Sequence, residues 1–502
     1  MQMRKGTKTL AILTAIMLMA AMLPAAAMAA EADFTVVRDG TTVSADAATI
    51  NKELETGSVF TITLNRSVGA NLVLPAGKTF TLKLNGNTLT GASDDAIANK
   101  GALTVEGPGA VRNDVSGKGA LVNYPGSTAT LNGGEFSAIS WYTIKNMGDM
   151  TINKDVTVTT SSGSSSLIDN GWYGNAGNDR GQSYPASGTT ANLTINGGTF
   201  TGGMNTVKND DCGKVTIEDG SFSNTKGPTL LNWNIAKING GNFSVPSGHV
   251  LANGYLPGGN DAGKLTINNG TFESGSGPQT ALLGYGVGTS NGGAIHINGG
   301  NYEGTITGIT GSRVTVTQGT FSSVPATGTV ASDATVAGVK DSYYIGGADQ
   351  VAAKVANLLQ SGDTVEVLQG NLVLTGVAGN VTVQNSGSGS VKVNGENVVK
   401  DKPVTTQTQH NHVYGPYESN EKGHWAECVD CGEKEAVQAH EYIGNGNICK
   451  ICGYKRAAAA PQDGAKALPK TGDDTPLAAL YALLAAALGA CVAIGVRRRR
   501  SV

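Results

Sequence analysis

One short phrase recurs along most of this chain of 502 residues. In each copy a threonine lies between two apolar residues, and Asn-Gly or Gly-Gly follows. An aromatic residue comes two positions after the last glycine, as in Leu-Thr-Ile-Asn-Gly-Gly-Thr-Phe at 193–200. The aromatic residues from Phe200 to Phe321 lie 19 to 30 residues apart. A unit of this size cannot bury its apolar face alone and must stack on its neighbours. A second phrase, a short apolar segment ending in asparagine, precedes the copies; its asparagines are Asn99, Asn123, Asn146, Asn170, Asn209, Asn232 and Asn253.

The pattern inside each copy predicts a strand followed by a corner. Side chains alternate along a strand, so Leu193 and Ile195 should face the interior and Thr194 the other side. The glycines permit a tight corner, after which Phe200 points back inward. Stacked coils would then align Phe on Phe and Asn on Asn. We predict an all-β fold with a solenoid over residues 58–325, and an antiparallel sandwich or propeller as the alternative.

In repeat format, the segment 58–325 resembles right-handed parallel β-helix proteins of the pectate-lyase-like superfamily, although it carries no catalytic motif of that group. The resemblance implies a right-handed parallel β-helix. Units that combine a helix with strands flank the repeats, and an array needs such atypical units to cover its end coils. Residues 31–57 form the predicted N-terminal cap, with a short helix within 44–57. Residues 326–400 form a C-terminal cap or a small β unit, with a helix from Ala348 to Leu359.

Both ends of the chain carry processing signals. Basic residues, an apolar stretch over 10–23 and small residues up to Ala30 predict a cleaved secretory signal peptide at 1–30. Near the other end, an apolar segment over 476–496 is long enough to span a bilayer, and the basic tail Arg497 to Arg500 would remain cytoplasmic. The pentapeptide that precedes this segment is Leu468, Pro469, Lys470, Thr471 and Gly472.

The order of pentapeptide, apolar span and basic tail over 468–502 resembles sortase substrates, the LPxTG-anchored surface proteins of Gram-positive bacteria. The resemblance implies that a sortase cuts after Thr471 and joins it to peptidoglycan, which places the protein on the cell surface in covalent attachment to the wall. Without the two processed segments, the net charge falls from −3 for the whole chain to about −8. An acidic chain with few aromatic residues is a poor candidate for nucleic-acid binding.

Residues 401–456 concentrate cysteine and histidine, and a linker over 457–467 follows. Two Cys-x-x-Cys pairs, each followed by glycine, can offer four thiolates to a tetrahedral zinc ion. The segment resembles a zinc ribbon and the small Cys/His modules near the wall anchors of Firmicutes surface proteins. Two disulfides are the alternative for an exported chain. We predict a structural zinc held by Cys428, Cys431, Cys449 and Cys452, with His412, His424 or His440 as replacement ligands or ligands of a second ion.

An insertion over 171–190 interrupts the repeats and is the predicted ligand-contact region. It carries Trp172, Tyr173 and Tyr184, which we expect to be exposed and able to stack on sugar rings or anchor a protein partner. The candidates for catalysis are Asp169 and Asp211, beside the asparagine positions. No paired-aspartate or Gly-His-Gly signature accompanies these two residues, so solvated charges are the simpler interpretation.

These observations favour a non-enzymatic adhesin or structural protein that displays its solenoid for contact with glycans or host surface proteins. The first alternative is a wall-attached polysaccharide lyase or glycoside hydrolase, which would need two carboxylates a fixed distance apart. The second is a module at 401–456 that docks partners near the wall.

Overall fold

The computed structural model describes residues 31–173, 179–254, 263–275, 280–285, 293–303, 305–306, 313–326, 328–374, 379–407, 412–429, 432–444 and 446–457. The predicted signal peptide, sorting motif and membrane-spanning segment lie outside these ranges. Within them, no helix is long and apolar enough to cross a membrane. The chain divides into two compact units, one extending to Val413 and one that contains Tyr414–Val429 and continues from Glu433.

The first unit contains a right-handed β-solenoid of about 13 turns, which confirms the predicted all-β solenoid. Each regular coil has three short strands, which we call the asparagine, threonine and aromatic strands after their characteristic residues. In one coil these are Leu121–Asn123, Thr128–Leu131 and Gly134–Ala138. Each pairs in parallel with the matching strand of the next coil, as Thr128–Leu131 does with Asp149–Ile152.

The strands of like type form three continuous faces. The asparagine strands are Leu72–Leu74, Ile97–Asn99, Leu121–Asn123, Ile144–Asn146, Ile168–Asn170, Val207–Asn209, Leu230–Asn232, Leu251–Gly254, Thr280–Tyr285 and Thr305–Ile306. The threonine strands are Val59–Leu64, Thr79–Lys83, Ala102–Glu106, Thr128–Leu131, Asp149–Ile152, Ala191–Ile195, Gly213–Ile217, Ile235–Ile238 and Lys264–Ile267. The aromatic strands are Val68–Gly69, Thr88–Gly91, Ala110–Asn113, Gly134–Ala138, Val156–Thr160, Thr199–Thr201, Ser221–Ser223, Asn242–Val245 and Thr271–Ser274. Two longer strands, Ala294–Tyr302 and Arg313–Phe321, continue both of the last two faces.

The aromatic residues of the repeat stack inside the solenoid. Five successive ring pairs lie with centroids 4.6 to 5.0 Å apart and nearly parallel planes. Burying one phenylalanine contributes roughly 1.5–3 kcal/mol. The preceding corner needs glycine: Gly198 has φ +111°, and a Cβ there would lie 2.7 Å from the carbonyl oxygen of Val156. The stacked residues are Phe200, Phe222, Phe243, Phe272, Tyr302 and Phe321.

The asparagines form a second, polar ladder that is cut off from water. Each side-chain amide nitrogen donates to the amide oxygen of the asparagine in the next coil, through six hydrogen bonds of 2.7–2.8 Å from Asn99 to Asn253. All seven side chains are fully buried. The same nitrogens also donate to backbone carbonyls, as Asn232 does to Asn234. The ladder therefore satisfies buried polar groups in every coil that it crosses.

Antiparallel strands cover the first coil of the solenoid. Phe34–Arg38 pairs antiparallel with Thr41–Ala45 and with Val59–Leu64. The helix predicted within 44–57 is only a single turn, Ile50–Glu53. It is short because the β-branched run at 41–43 favours a strand, which takes up the start of the predicted helix.

A second β region follows the last coil. Ser342–Gly346 pairs antiparallel with Arg313–Phe321, which ends the parallel stack. The helix Ala348–Ala356 begins where predicted and ends three residues earlier than Leu359. It packs through Val351 and Val355 on a separate apolar core. The strands of this region are Thr335–Val339, Ser342–Gly346, Thr364–Leu372, Asn380–Asn385, Val391–Val393, Glu396–Asn397 and Val404–Gln407.

The second unit is small and is built twice from the same backbone pattern. It contains the hairpin Glu418–Asn420 and Gly423–Trp425. The amide of Cys428 donates to the carbonyl of Glu433, and the amide of Cys449 donates to that of Tyr454, both at 2.8 Å. The matching bridges are Tyr414 with Cys428, Glu427 with Lys434, Tyr442 with Cys449, and Ile448 with Lys455.

The asparagine ladder should be a main source of solenoid stability. Replacing Asn232 by alanine removes donors to Asn234 and Asn253 and leaves buried polar groups without partners, each costing about 1–3 kcal/mol. We expect Asn232→Ala to lower the free energy of unfolding by about 2–4 kcal/mol in urea titration. Asn196 bonds to Asn153 in an exposed row and is the matched control. Asn196→Ala should cost less than about 0.5 kcal/mol, and equal losses for both variants would contradict a special role of the buried ladder.

Candidate functional site

A groove runs along the outer side of the asparagine strands. Its volume is about 570 Å³, which lies in the range of ligand-binding clefts. Strand residues that point outward from the solenoid, including Lys208, Leu231 and Ala252, form its floor. Turn residues on either side of these strands form its walls, which include Trp141, Tyr142, Ser164, Ser165, Ser166, Tyr173, Met204, Asn205, Lys226, Gly227, Pro228, Trp233 and His249.

Aromatic rings and an ammonium group organise the middle of the groove. The Nζ atom of Lys208 lies 4.2 Å from the ring centroid of Tyr173 and 4.3 Å from that of Trp233. The two ring centroids are 6.3 Å apart. Tyr173 is 37% exposed, so part of its ring faces solvent. The indole nitrogen of Trp233 is buried and has no hydrogen-bond partner among the described residues. Rings with polar groups beside them suit a ligand that is apolar on one face and hydroxylated at its edge.

The insertion after Asn170 contributes Tyr173 to the groove, and its later part contacts earlier coils of the solenoid. The guanidinium of Arg180 donates to both carboxylate oxygens of Asp95 at 2.7 and 2.8 Å, across 85 residues of sequence. It also lies 3.5 Å from the ring centroid of Trp141. A bidentate pair of this kind is strong and directional. The insertion is therefore clamped to earlier coils, although residues 174–178 lie outside the described chain.

A buried set of charges lies beneath the insertion. In the asparagine face, Lys145, Asp169 and Lys208 occupy matching positions of adjacent strands. Lys145 contacts Asp169 at 2.9 Å and Asp179 of the insertion at 2.7 Å. Lys208 contacts Asp210 at 2.6 Å and Asp169 at 3.9 Å. The set contains more carboxylates than ammonium groups, so its burial favours the uptake of a proton.

The structure revises the sequence-based view of the two candidate catalytic residues. Asp169 and Asp211 are fully buried, not part of a solvated face. Asp169 is held between lysines, and the backbone carbonyl of Asp211 accepts a hydrogen bond from the Trp172 amide at 2.9 Å. A general acid or base must reach the substrate, and neither carboxylate reaches the surface. Among the described residues that line the groove, none is Asp or Glu.

The three predicted contact residues of the insertion have different environments. The expectation that Trp172 is exposed was wrong: it is 1% exposed and packs with Trp141 and Tyr142 in a small apolar cluster. Tyr173 lines the groove. Tyr184 is also 37% exposed but lies outside the groove, with its hydroxyl 3.5 Å from the Cys212 sulfur. Sequence reasoning missed Trp141 and Trp233, which flank asparagine strands in other coils.

A second candidate site lies in the small unit. His424, His440, Cys449 and Cys452 each bring a donor atom within 4.8 Å of the others. Two imidazole nitrogens and two sulfur atoms form a donor set that suits a tetrahedral transition metal. His424 is fully buried, and neither of its ring nitrogens has a hydrogen-bond partner among the described residues. A metal ion would satisfy the nitrogen that faces the group.

Neighbouring groups orient and activate these donors. The Nε2 atom of His440 lies 2.6 Å from the carbonyl oxygen of Asn420, and its Nδ1 lies 3.4 Å from the Cys452 sulfur. If Nε2 carries the proton and donates it to this carbonyl, the lone pair of Nδ1 faces the other donor atoms. Histidines that bind metals are commonly oriented by such a hydrogen bond from the second ring nitrogen. Burial opposes ionisation of Cys449, but hydrogen bonds from the Cys452 and Ile451 amides lower its pKa to about 6. A thiol with this pKa is largely the thiolate form that binds metals.

The group contains two of the four predicted cysteine ligands and two of the predicted alternates. Cys431 lies outside the described residues, so the four-cysteine set stays a prediction. Cys428 and His412 are described and are not members of the group. Cys449 and Cys452, the two described cysteines of the group, are free thiols in the structure. The glycines after both pairs have positive φ, +71° at Gly432 and +73° at Gly453, as the predicted turns require.

Comparison with known proteins gives no assignment for either site: no family model, no curated protein and no solved structure matches this chain.

The buried charges should make stability depend on pH. Burial, followed by the negative charge of Asp169, raises the pKa of Asp210 from 3.8 to about 7. Between these values the folded state retains a proton that the unfolded chain loses, so the contribution of Asp210 to stability declines as pH rises towards 7. In urea unfolding at pH 5 to 8, Asp210→Asn should flatten this decline. Asp155 is exposed, so Asp155→Asn should keep the decline of stability with pH. If Asp210→Asn shows the same decline as the wild type, Asp210 is not its source.

Single substitutions can decide which residues hold a metal. We expect His440→Ala and Cys449→Ser to lose the ion bound by this group, because each removes one of its four donors. Cys428→Ser should retain the ion, whereas the four-cysteine set requires its loss. Metal content of the purified chain, measured by mass spectrometry after dialysis, reports the result. Wild-type metal content in Cys449→Ser would contradict both ligand sets.

Proposed function

We propose that this protein is exported, joined to peptidoglycan through Thr471 by a sortase, and displays its solenoid on the cell surface as a non-enzymatic glycan-binding adhesin. The anchoring part rests on the sequence at both ends, where a secretory signal pattern precedes the repeats and an LPxTG motif, an apolar segment and four arginines follow them. The solenoid and its stacked side chains supply a rigid body for display.

The groove is the observation that carries the binding role. Tyr173 and Trp233 offer aromatic rings, and the exposed Lys226 offers an ammonium group in the same groove. Pyranose rings have apolar faces and hydroxylated edges, so this combination fits them. Host surface proteins remain an alternative partner class for the same groove.

Cleavage of the glycan is the second candidate function, and the buried charges disfavour it. A lyase or glycoside hydrolase needs an acid and a base that touch the scissile bond. The carboxylates that contact the groove residue Lys208, Asp169 and Asp210, are buried and paired with lysines. Binding without chemistry therefore accounts for the groove more simply.

For the small unit we propose a structural zinc ion. Zinc favours a tetrahedral set of sulfur and nitrogen donors, and His424, His440, Cys449 and Cys452 provide one. The unit buries few apolar side chains, and a chain of this size needs a metal or another staple to fold stably. A closed set of four protein donors leaves no position for a substrate, so we assign the ion no catalytic role.

Glycan binding to intact bacteria tests anchoring and binding together. Cells that express the full chain should bind labelled glycans from an array. Tyr173→Ala should reduce this binding at least about twofold, since an aromatic contact is worth roughly 0.5–1.5 kcal/mol. Tyr184→Ala is the matched control, because Tyr184 has the same 37% exposure and lies outside the groove.

The anchoring residue gives the second arm of this experiment. Thr471→Ala should remove glycan binding from the wall fraction, because the sortase would no longer attach the chain. Wild-type binding by Tyr173→Ala cells would contradict the groove assignment. Wall attachment of Thr471→Ala would contradict the proposed anchor.

A further inference from the structure

We infer that the groove binds a linear oligosaccharide of about four to five pyranose units that lies parallel to the solenoid axis, since adjacent coils are roughly 4.8 Å apart. This inference rests on the proposed glycan-binding function and adds the length and direction of the ligand.

The groove crosses successive coils instead of lying within one. Its residues belong to, or directly flank, five asparagine strands that pair in parallel and in register. Five coils at this spacing extend roughly 19 Å from first to last, and each step is close to the length of one pyranose unit. The strands are Ile144–Asn146, Ile168–Asn170, Val207–Asn209, Leu230–Asn232 and Leu251–Gly254.

Ligand contacts are distributed along this path. Trp141 and Tyr142 lie at the first coil, Tyr173 and Trp233 lie near the middle, and His249 lies at the last. A single sugar could span Tyr173 and Trp233, whose ring centroids are 6.3 Å apart, but it could not also reach the first and last coils. A chain of sugars in register with the coils could touch all of them. The repeat of the protein thus matches the repeat of a polymer.

The backbone argues against an extended peptide as the occupant. A peptide that adds to a sheet needs an edge strand with free amide and carbonyl groups. Here each of the interior strands from Ile168–Asn170 to Leu230–Asn232 is paired on both sides, so the floor presents side chains instead. Stacking and side-chain hydrogen bonds are what remain for recognition, and both suit sugars.

Oligosaccharides of graded length test the inference. The purified full chain is titrated with ladders of two to eight units, built from glucose, from N-acetylglucosamine, or from alternating uronate and N-acetylhexosamine. For the ladder whose sugars bind, the affinity should rise roughly tenfold or more between the two-unit and the five-unit oligosaccharide. Beyond five units it should change by less than about twofold. Equal affinity for two and five units would overturn the inference.

A substitution at one end of the groove tests the direction. His249 is exposed at the last coil, so His249→Ala should weaken binding of five-unit chains at least about threefold and leave two-unit chains nearly unchanged, as expected for the loss of one contact. His296→Ala removes a histidine from a threonine strand outside the groove and is the control. Equal effects of His249→Ala on both lengths would overturn the axial direction.

The outcomes separate this inference from the proposed function. Binding that does not depend on length leaves a glycan-binding groove but refutes the axial chain. Failure of every ladder to bind, or displacement of a bound oligosaccharide by extended peptides of the same length, refutes the axial chain and also the glycan-binding function itself.

Discussion

A buried row of asparagine amides fixes the register of this solenoid. From Asn99 to Asn253 each amide bonds to the next at 2.7–2.8 Å and is shielded from water. A shift of one residue in any coil would turn its side chains to the opposite face and leave amides unpaired in the interior. The residue before each of these asparagines faces outward, and the ladder keeps these outward residues aligned from coil to coil. The buried charges and the groove floor are formed by residues of this aligned row.

The outward-facing residues of the asparagine strands form two different parts of the structure. Where the insertion covers these residues, Lys145 and Lys208 form buried ion pairs with Asp169, Asp179 and Asp210. Where the insertion ends, the row continues into the floor of the groove, with Leu231 and Ala252. Lys208 belongs to both, because it pairs with Asp210 and also lies against Tyr173 and Trp233. The charged set thus fixes the position of a side chain on which the rings of the groove pack.

The sequence was sufficient for the features that repeat. Apolar residues alternate around Thr194, glycine precedes Phe200, and asparagine recurs once per coil, so strand, corner and ladder could each be predicted from local chemistry. The burial of Asp169 and Trp172 could not be predicted in this way, since it depends on how the insertion folds back to Asp95. Trp141 and Trp233 could have been found by aligning the residues on either side of each asparagine strand.

The candidate metal-binding group of His424, His440, Cys449 and Cys452 shows a similar limit. Spacing alone makes the two cysteine pairs equivalent and predicts four sulfur donors. The structure places His424 and His440 beside Cys449 and Cys452. The spacing of cysteines along the chain carries no information about which histidine the fold brings near them. The tight glycine turns after each pair, by contrast, depend only on adjacent residues and were predictable.

Amide hydrogen exchange, followed by mass spectrometry on the purified chain, tests the stacking of coils most directly. Interior asparagine strands from Leu121–Asn123 to Leu230–Asn232 have a paired strand on each side, so their peptides should be protected to a similar and high degree. Asn232→Ala should speed exchange most in the coils next to it. Rapid exchange throughout these strands, as fast as in the connecting turns, would contradict a solenoid held in register by its buried asparagines.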